Sequence, residues 1–369
     1  MTTTVREMTT ENPFRWPTMS KDYVIVGEAE YPANASVKVN GPPGTGKTTQ
    51  GLARVRDLIR HFDYHVWDLL WCTYRRSLAD EVLDHLVEWD LLSKSATDEP
   101  WNGATEFIST AHAISRRIAT ESYIKQWDTP HWADKQDFMF ETYSLPFQSS
   151  SNSKPDYGEL IFGVYYWLKN NEMEMGLAHE CPQYSVLSTS WASHPDLAAF
   201  ADAWEEYKTK HDIVDFHEYL EHVRDAHLVP PTPIVVIDEY HDAFPLLHSV
   251  CQMWIDAAEV AIVLGDPQQV INTHEGADPA FFKEIDLPEV QLTKTWRVPP
   301  VLWHAASNVL AGWHDPHTPE FNDAVDGALY EVRPPQIDYN HVVDEWESPT
   351  GQHATPDDLV DRFNGSMLF

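Results

Sequence analysis

The chain has 369 residues, 43% hydrophobic and 12% aromatic, which suits two or three domains with a sizeable core and excludes a disordered polymer. Against 25 Lys plus Arg stand 58 Asp plus Glu, a formal net charge of −33 spread along the chain, so a conventional basic nucleic-acid binder is disfavoured. A solvated acidic surface fits cytoplasm at molar salt, where the Debye length falls to about 3 Å, and a halophilic source is expected.

No apolar run reaches the roughly 18 residues of a membrane span, and the opening MTTTVREMTTENPF holds no apolar signal core. A soluble, cytoplasmic protein with no membrane partner is expected. Cys72, Cys181 and Cys251 lack metal-ligand spacing and are expected as buried free thiols.

In chain order, strand-like apolar runs occur at Ser36–Asn40, Val66–Tyr74, Glu106–Thr110, Pro233–Glu239, Val260–Asp266 and Val290–Thr295. A helical stripe of Leu52, Val55, Ile59 and Phe62 follows the first run. Strand–turn–helix alternation predicts an α/β domain around a parallel sheet. Between about Arg116 and Pro231 the alternation stops. A Ser-rich loop at Gln148–Lys154 and helical segments such as Leu197–Lys210 predict a helical insertion there. Beyond Trp313 the chain is rich in Pro, His and Asp, with one short strand candidate at Ala328–Val332.

The first turn, Gly41-Pro42-Pro43-Gly44-Thr45-Gly46-Lys47-Thr48 and then Thr49, lies between a strand and a helix. This is a phosphate-binding loop. Glycines let backbone N–H groups close around phosphates, Lys47 reaches the β/γ oxygens, and Thr48 offers its hydroxyl to Mg²⁺. A nucleoside triphosphate with Mg²⁺ is the expected ligand.

The fourth run ends in Asp238-Glu239. Asp238 suits the metal's second shell and Glu239 the orientation of an attacking water, although two acids at a strand end are often merely solvated. Gly265-Asp266-Pro267-Gln268-Gln269 ends the fifth run, as a simple turn or as an amide that senses the γ-phosphate. Trp296-Arg297 follows the sixth; the guanidinium suits a transferring phosphoryl group, or is a surface charge.

In their order these motifs resemble the UvrD/Rep-type superfamily 1 DNA helicases, over residues 40 to 300. Cys72-Thr73-Tyr74-Arg75 through Ala79-Asp80-Glu81 resembles a segment whose threonine and aromatic touch single-stranded DNA. Ser109-Thr110-Ala111-His112-Ala113 is similar to a second DNA-contact segment. Trp204-Glu205-Glu206-Tyr207-Lys208 and Asp215-Phe216-His217-Glu218-Tyr219-Leu220 resemble a signature peripheral to the chemistry. Asp238-Glu239-Tyr240-His241-Asp242 matches the family's D-E-x-Q-D with His241 in place of glutamine. Gly265–Gln269 with Gly276-Ala277-Asp278-Pro279 resembles the segment whose glutamine, here Gln269, senses the γ-phosphate. Trp296-Arg297 resembles its Tyr-Arg pair.

The resemblance implies a RecA-like ATPase domain in residues 1–115 and 232–290. It implies a helical insertion in 116–231 and the start of a second RecA-like motor domain in 291–369. It implies ATP and Mg²⁺ as ligands, with Lys47, Asp238, Glu239, Gln269 and Arg297 catalytic and Thr48 and Asp238 at the metal. Thr73, Tyr74, Thr110 and His112 would contact single-stranded or partly duplex DNA, and translocation would run 3′ to 5′. Three features depart from the family. Residues 1–49 hold no glutamine to read adenine, His241 weakens the expected link to the DNA face, and the last, arginine-bearing motifs are absent. Gly365–Phe369 resembles the start of a strand of the second motor domain, so a fragment, or a second polypeptide that completes the motor, is expected. Two other functions fit the same residues: an ATP-binding switch with little turnover, and an RNA-directed helicase of the same superfamily.

Overall fold

A computed structural model describes residues 24–97, 103–122, 132–145, 147, 157–190, 196–310, 319–321, 346–347 and 353–354. The Ser-rich loop Gln148–Lys154, the strand candidate Ala328–Val332 and Gly365–Phe369 lie outside the described residues. The chain divides into two units, Met1–Thr293 and Lys294–Phe369.

In the first unit the elements run β1 (Val37–Asn40), α1 (Lys47–His61), β2 (Leu69–Thr73), α2 (Arg76–Glu88), β3 (Ile108–Thr110) and α3 (Ala111–Ser122). Then come α4 (Trp132–Tyr143), α5 (Tyr157–Asn170), α6 (Tyr184–Ser190), α7 (Leu197–His211) and α8 (Phe216–Asp225). The order closes with β4 (Ile234–Ile237), α9 (Pro245–Ala257), β5 (Val260–Gly265), α10 (Pro279–Glu284) and β6 (Glu289–Gln291). The second unit holds β7 (Lys294–Thr295), α11 (Pro300–Leu310) and β8 (Glu320–Phe321), with β7 and β8 parallel. It also holds β9 (Trp346–Glu347) and β10 (His353–Ala354), an antiparallel pair.

The six strands of the first unit form one parallel sheet in the order β3-β2-β4-β5-β1-β6. Its central strands, such as IVVI in β4 and VAIVLG in β5, are buried throughout, as helices on both faces require. Alternate side chains serve opposite cores. Val235, Ile237 and Val263 pack with Ile114, Leu220, Val250 and Trp254, while Val236, Ile262 and Leu264 pack with Leu52, Val55, Val82 and Leu86. The sheet is a RecA-like α/β arrangement.

All six expected strands occur, most of them shorter than expected, and two differ in kind. Val66–Asp68 forms a 3₁₀ turn ahead of β2, because the Asp68 carboxylate accepts the His65 N–H and curls the chain. The run Val290–Thr295 divides. Val290 and Gln291 pair with β1, and Lys294 and Thr295 pair with Glu320 and Phe321.

A third core fills the insertion, from Phe138 to Ile213. It is built on aromatic edges, with Phe138 to Phe200 at 5.6 Å and Phe162 to Trp204 at 5.0 Å between centroids. The expected insertion limits of 116–231 shift inward. Ala119 of α3 and Tyr219, Leu220 and Val223 of α8 belong to the core on one face of the sheet, so both flanking helices pack as part of the α/β body. Cys72, Cys181 and Cys251 are buried and free.

Candidate active site

β4, β5 and β1 are neighbours in the sheet, and their carboxyl ends bring three motifs together. The loop after β1 turns through Gly44 (φ 74°) and Gly46 (φ 87°), a left-handed backbone that side chains disfavour. It delivers Lys47 and Thr48 at the start of α1. The Lys47 ammonium donates to the Gly41 carbonyl at 2.8 Å and to Gln269 Oε1 at 3.4 Å, so the loop and the tip beyond β5 share one cation. Thr48 Oγ1 donates to Asp238 Oδ2 at 3.0 Å. The Glu239 N–H donates to Asp238 Oδ1 at 2.9 Å.

Asp238 is buried, and burial together with the Glu239 charge pushes its carboxyl up to about 7, against the opposing pull of Thr48 and Lys47. Glu239 sits at φ 56° without being glycine, a turn that carries its side chain off the strand direction. Its Oε2 accepts no hydrogen bond among the described residues. His241 Nδ1 lies 3.6 Å from that oxygen, yet the two are not an ion pair. The same Nδ1 accepts the Asp266 N–H at 3.1 Å, and burial and Lys47 push the imidazole down to about 4, so it is neutral. The histidine therefore ties the tip of β4 to the tip of β5. The sequence signal for this was its departure from glutamine; its acceptor role was not legible. Asp266 was also missed. It is buried, its carboxyl is raised by burial, and its Oδ2 has no hydrogen-bond partner among the described residues.

Buried oxygen donors in surplus over cations fit a hard dication. Thr48 Oγ1 and the Asp238 carboxylate are the groups placed to hold Mg²⁺, with Glu239 Oε2 and Asp266 Oδ2 left open beside them. Arg297 follows β7 in the second unit, so it is not assembled with these residues by the first unit's sheet. Beside it, the Lys294 ammonium stands 4.5 Å over the Trp296 ring.

A second site lies at the other side of the same sheet edge. Thr73 ends β2 and Thr110 ends β3, and both line a cavity of about 500 Å³ together with Tyr74 and His112. All four residues expected at a strand of DNA thus line one cavity, together with Tyr166 and Trp167 of α5. Thr73 Oγ1 donates to the Arg75 carbonyl at 2.8 Å. Thr110 Oγ1 accepts the Ala113 N–H at 3.4 Å. Tyr74 donates its O–H to Glu275 Oε2. His112 is half-buried, and desolvation pushes it down to about 4, so it adds no charge. The tips of β4 and β2 are joined by backbone: the Asp238 N–H donates to the Cys72 carbonyl at 2.8 Å.

The family model for the UvrD/REP helicase N-terminal domain matches residues 27–287. This chain belongs to the UvrD/Rep helicase family. It is similar to the ATP-dependent DNA helicase UvrD2 of Mycobacterium tuberculosis and of Mycobacterium bovis, at 22% identity over 322 residues. That alignment covers 79% of this chain and 44% of the relative. The chain spans less than half the length of the curated relatives it matches. The UvrD/Rep match covers five of the six strands of the sheet, β1 to β5, together with the insertion and both sites described above.

The family's peripheral signature also acquires a physical role here. Lys208, almost wholly buried, meets Glu205 Oε2 at 3.0 Å, Asp215 Oδ2 at 3.2 Å and Glu218 Oε2 at 2.6 Å. Asp215 accepts further hydrogen bonds from Trp204 Nε1 and the Tyr166 hydroxyl, both at 2.7 Å. Asp215 and Glu218 form the capping box of α8. The signature is the buried joint where the insertion returns to the α/β body.

Proposed function

We propose that this chain is the N-terminal motor portion of a DNA helicase that hydrolyses ATP to translocate 3′ to 5′ on single-stranded DNA. One observation carries the reading: Lys47, Thr48, Asp238, Glu239 and Gln269 converge at the carboxyl ends of three adjacent parallel strands. The backbone of Gly41–Thr49 and Lys47 cradle the phosphates. Thr48 and Asp238 would hold Mg²⁺, which would supply positive charge beside the phosphates. Glu239 orients the attacking water, Gln269 reports the γ-phosphate to the loop beyond β5, and Arg297, from a second motor domain, stabilises the transferring group. In this reading residues 294–369 belong to that second domain. The experiment is a measurement of ATP hydrolysis with and without single-stranded DNA or RNA. DNA-stimulated turnover supports the motor; tight ATP binding with no turnover in either case would make the chain a switch instead.

The acidic composition supports a motor adapted to a high-salt cytoplasm, and a distinct prediction follows for how it grips its strand. Each neutralised phosphate costs a log–log salt slope of about −0.7 on single strands, so phosphate contacts give little at molar salt. Base–aromatic stacking, about 1–3 kcal/mol per base, is far less sensitive. Strand affinity is expected to survive above about 1 M KCl with a shallow slope, and Tyr74→Ala to weaken it more than Arg75→Ala. A salt titration of the three proteins checks this, and a steep slope or a larger effect from Arg75 would reject it.

A further inference from the structure

We propose that Glu275 is a latch on the cavity at the tips of β2 and β3: its carboxylate opposes entry of a nucleic-acid strand at low salt, and molar salt weakens that opposition by screening it. The inference rests on the strand-binding reading and adds an autoinhibitory contact to it.

The cavity expected to receive a polyanion is lined by one carboxylate, that of Glu275, and by no lysine or arginine among the described residues. His112 in the same wall is neutral. A fixed negative charge in the path of a strand repels each phosphate that comes near it, and no lysine or arginine of the wall offsets it.

The carboxylate is held where it lies. Its Oε2 accepts the Tyr74 O–H. The Glu275 carbonyl accepts from Asn171 Nδ2 at 3.2 Å, and the same amide donates to the Trp167 carbonyl of α5 at 2.7 Å. The Glu275 N–H donates to the Asn272 carbonyl at 2.9 Å, which closes a 3₁₀ turn over Thr273–Glu275. Gly276 ends that turn at φ 101°, where a Cβ would run into the Asn171 amide. Two attachments, one to the tip of β2 and one to the end of α5, thus fix a charge that an ordinary surface glutamate would carry out into water. The ring expected to grip the strand, Tyr74, is the one the latch holds.

Partial exposure makes the charge sensitive to salt. The Glu275 side chain is 46% exposed, so its field runs through water as well as protein. The Debye length is about 10 Å at 0.1 M and about 3 Å at 1 M, and repulsion of a passing phosphate falls accordingly. The hydrogen bond to Tyr74 is a contact interaction and is not screened in this way. Charge and bond are therefore separable by mutation. Glu275→Gln removes the charge and keeps an oxygen that can accept from Tyr74, whereas Tyr74→Phe keeps ring and charge and removes the bond.

The test measures the affinity of the full chain for labelled single-stranded oligothymidine at about 0.1 M and about 1 M KCl. Glu275→Gln is expected to bind about tenfold tighter than the parent at the lower salt and less than about threefold tighter at the higher. Tyr74→Phe, whose carboxylate is free to swing into water, is expected to gain about threefold at both. Asp202→Asn, which removes an exposed acid of α7 outside the cavity lining, controls for net charge and should gain less than about twofold. Four results would each overturn the latch and leave strand binding intact: Glu275→Gln no tighter than the parent at the lower salt, an equal gain at both salts, the same gain in Asp202→Asn, or no gain in Tyr74→Phe. Absence of strand binding in parent and variants alike, at both salts, would remove both readings.

Discussion

Glu239→Gln is expected to bind nucleotide with parental affinity and to hydrolyse it about 10²–10³ times more slowly, while Lys47→Ala loses nucleotide binding. The two side chains stand in different electrostatic situations. Lys47 is buried, and its ammonium spans the Gly41 carbonyl and Gln269, so it is already directed into the loop that would close around phosphates. Its removal takes away the one lysine of the cradle. Glu239 instead stands at the edge of the site, about one-third exposed, with Oε2 free of hydrogen bonds among the described residues. A carboxylate held in that state is a ready acceptor for a water proton. The amide keeps its size and loses that capacity. Nucleotide affinity by calorimetry and turnover by phosphate release separate the two effects. Parental turnover in Glu239→Gln would reject the assignment.

Lys208→Met should cost about 3 kcal/mol of stability and recover part of it as pH falls. Three carboxylates share one ammonium, and two of the four groups, Lys208 and Asp215, are almost fully enclosed. Burial alone would push the lysine down, yet Asp215, Glu218 and Glu205 together raise it. Glu218 is raised as well, by burial that outweighs Lys208. Both groups therefore hold their protons more tightly than the same groups do in water. Without the lysine, whose charge opposes that shift, the Glu218 carboxyl of the folded state rises further above its unfolded value of about 4.3. Its protonated form then favours folding at low pH, and this contribution is lost as pH rises through the folded value. Denaturant midpoints at pH 5 and pH 7.5 test the sign. A variant equally stable at both, or as stable as the parent, would show that the ammonium has only a space-filling role.

The strands and the phosphate loop were legible because both rest on contiguous sequence. A run such as Ile234–Ile237 is apolar throughout since it is covered on both faces, and glycines at positions 44 and 46 mark a turn wherever they fall. What joins distant segments was not legible. The Tyr74 hydroxyl meets a carboxylate 201 residues away, and nothing local to either residue announces it. The same holds for His241, whose departure from the family pattern was visible but whose bond to the Asp266 N–H depends on β4 and β5 being neighbours. Helix α8 misled for a different reason. Its amphipathic pattern states that one face is buried, and leaves open which of two cores receives it.

The hydrogen bond from the Asp238 N–H to the Cys72 carbonyl makes the sheet edge a short lever. The acids of β4 and the threonine of β2 that walls the cavity are one strand spacing apart, about 4.8 Å. Thr73 follows Cys72 directly, so the paired backbone, stiffer than any chain of side chains, lies between them. The backbone of Asp238 and that of the residue before Thr73 thus share one hydrogen bond, with no side chain between them. In the proposed motor, fuel and track would then be geared through a single peptide group.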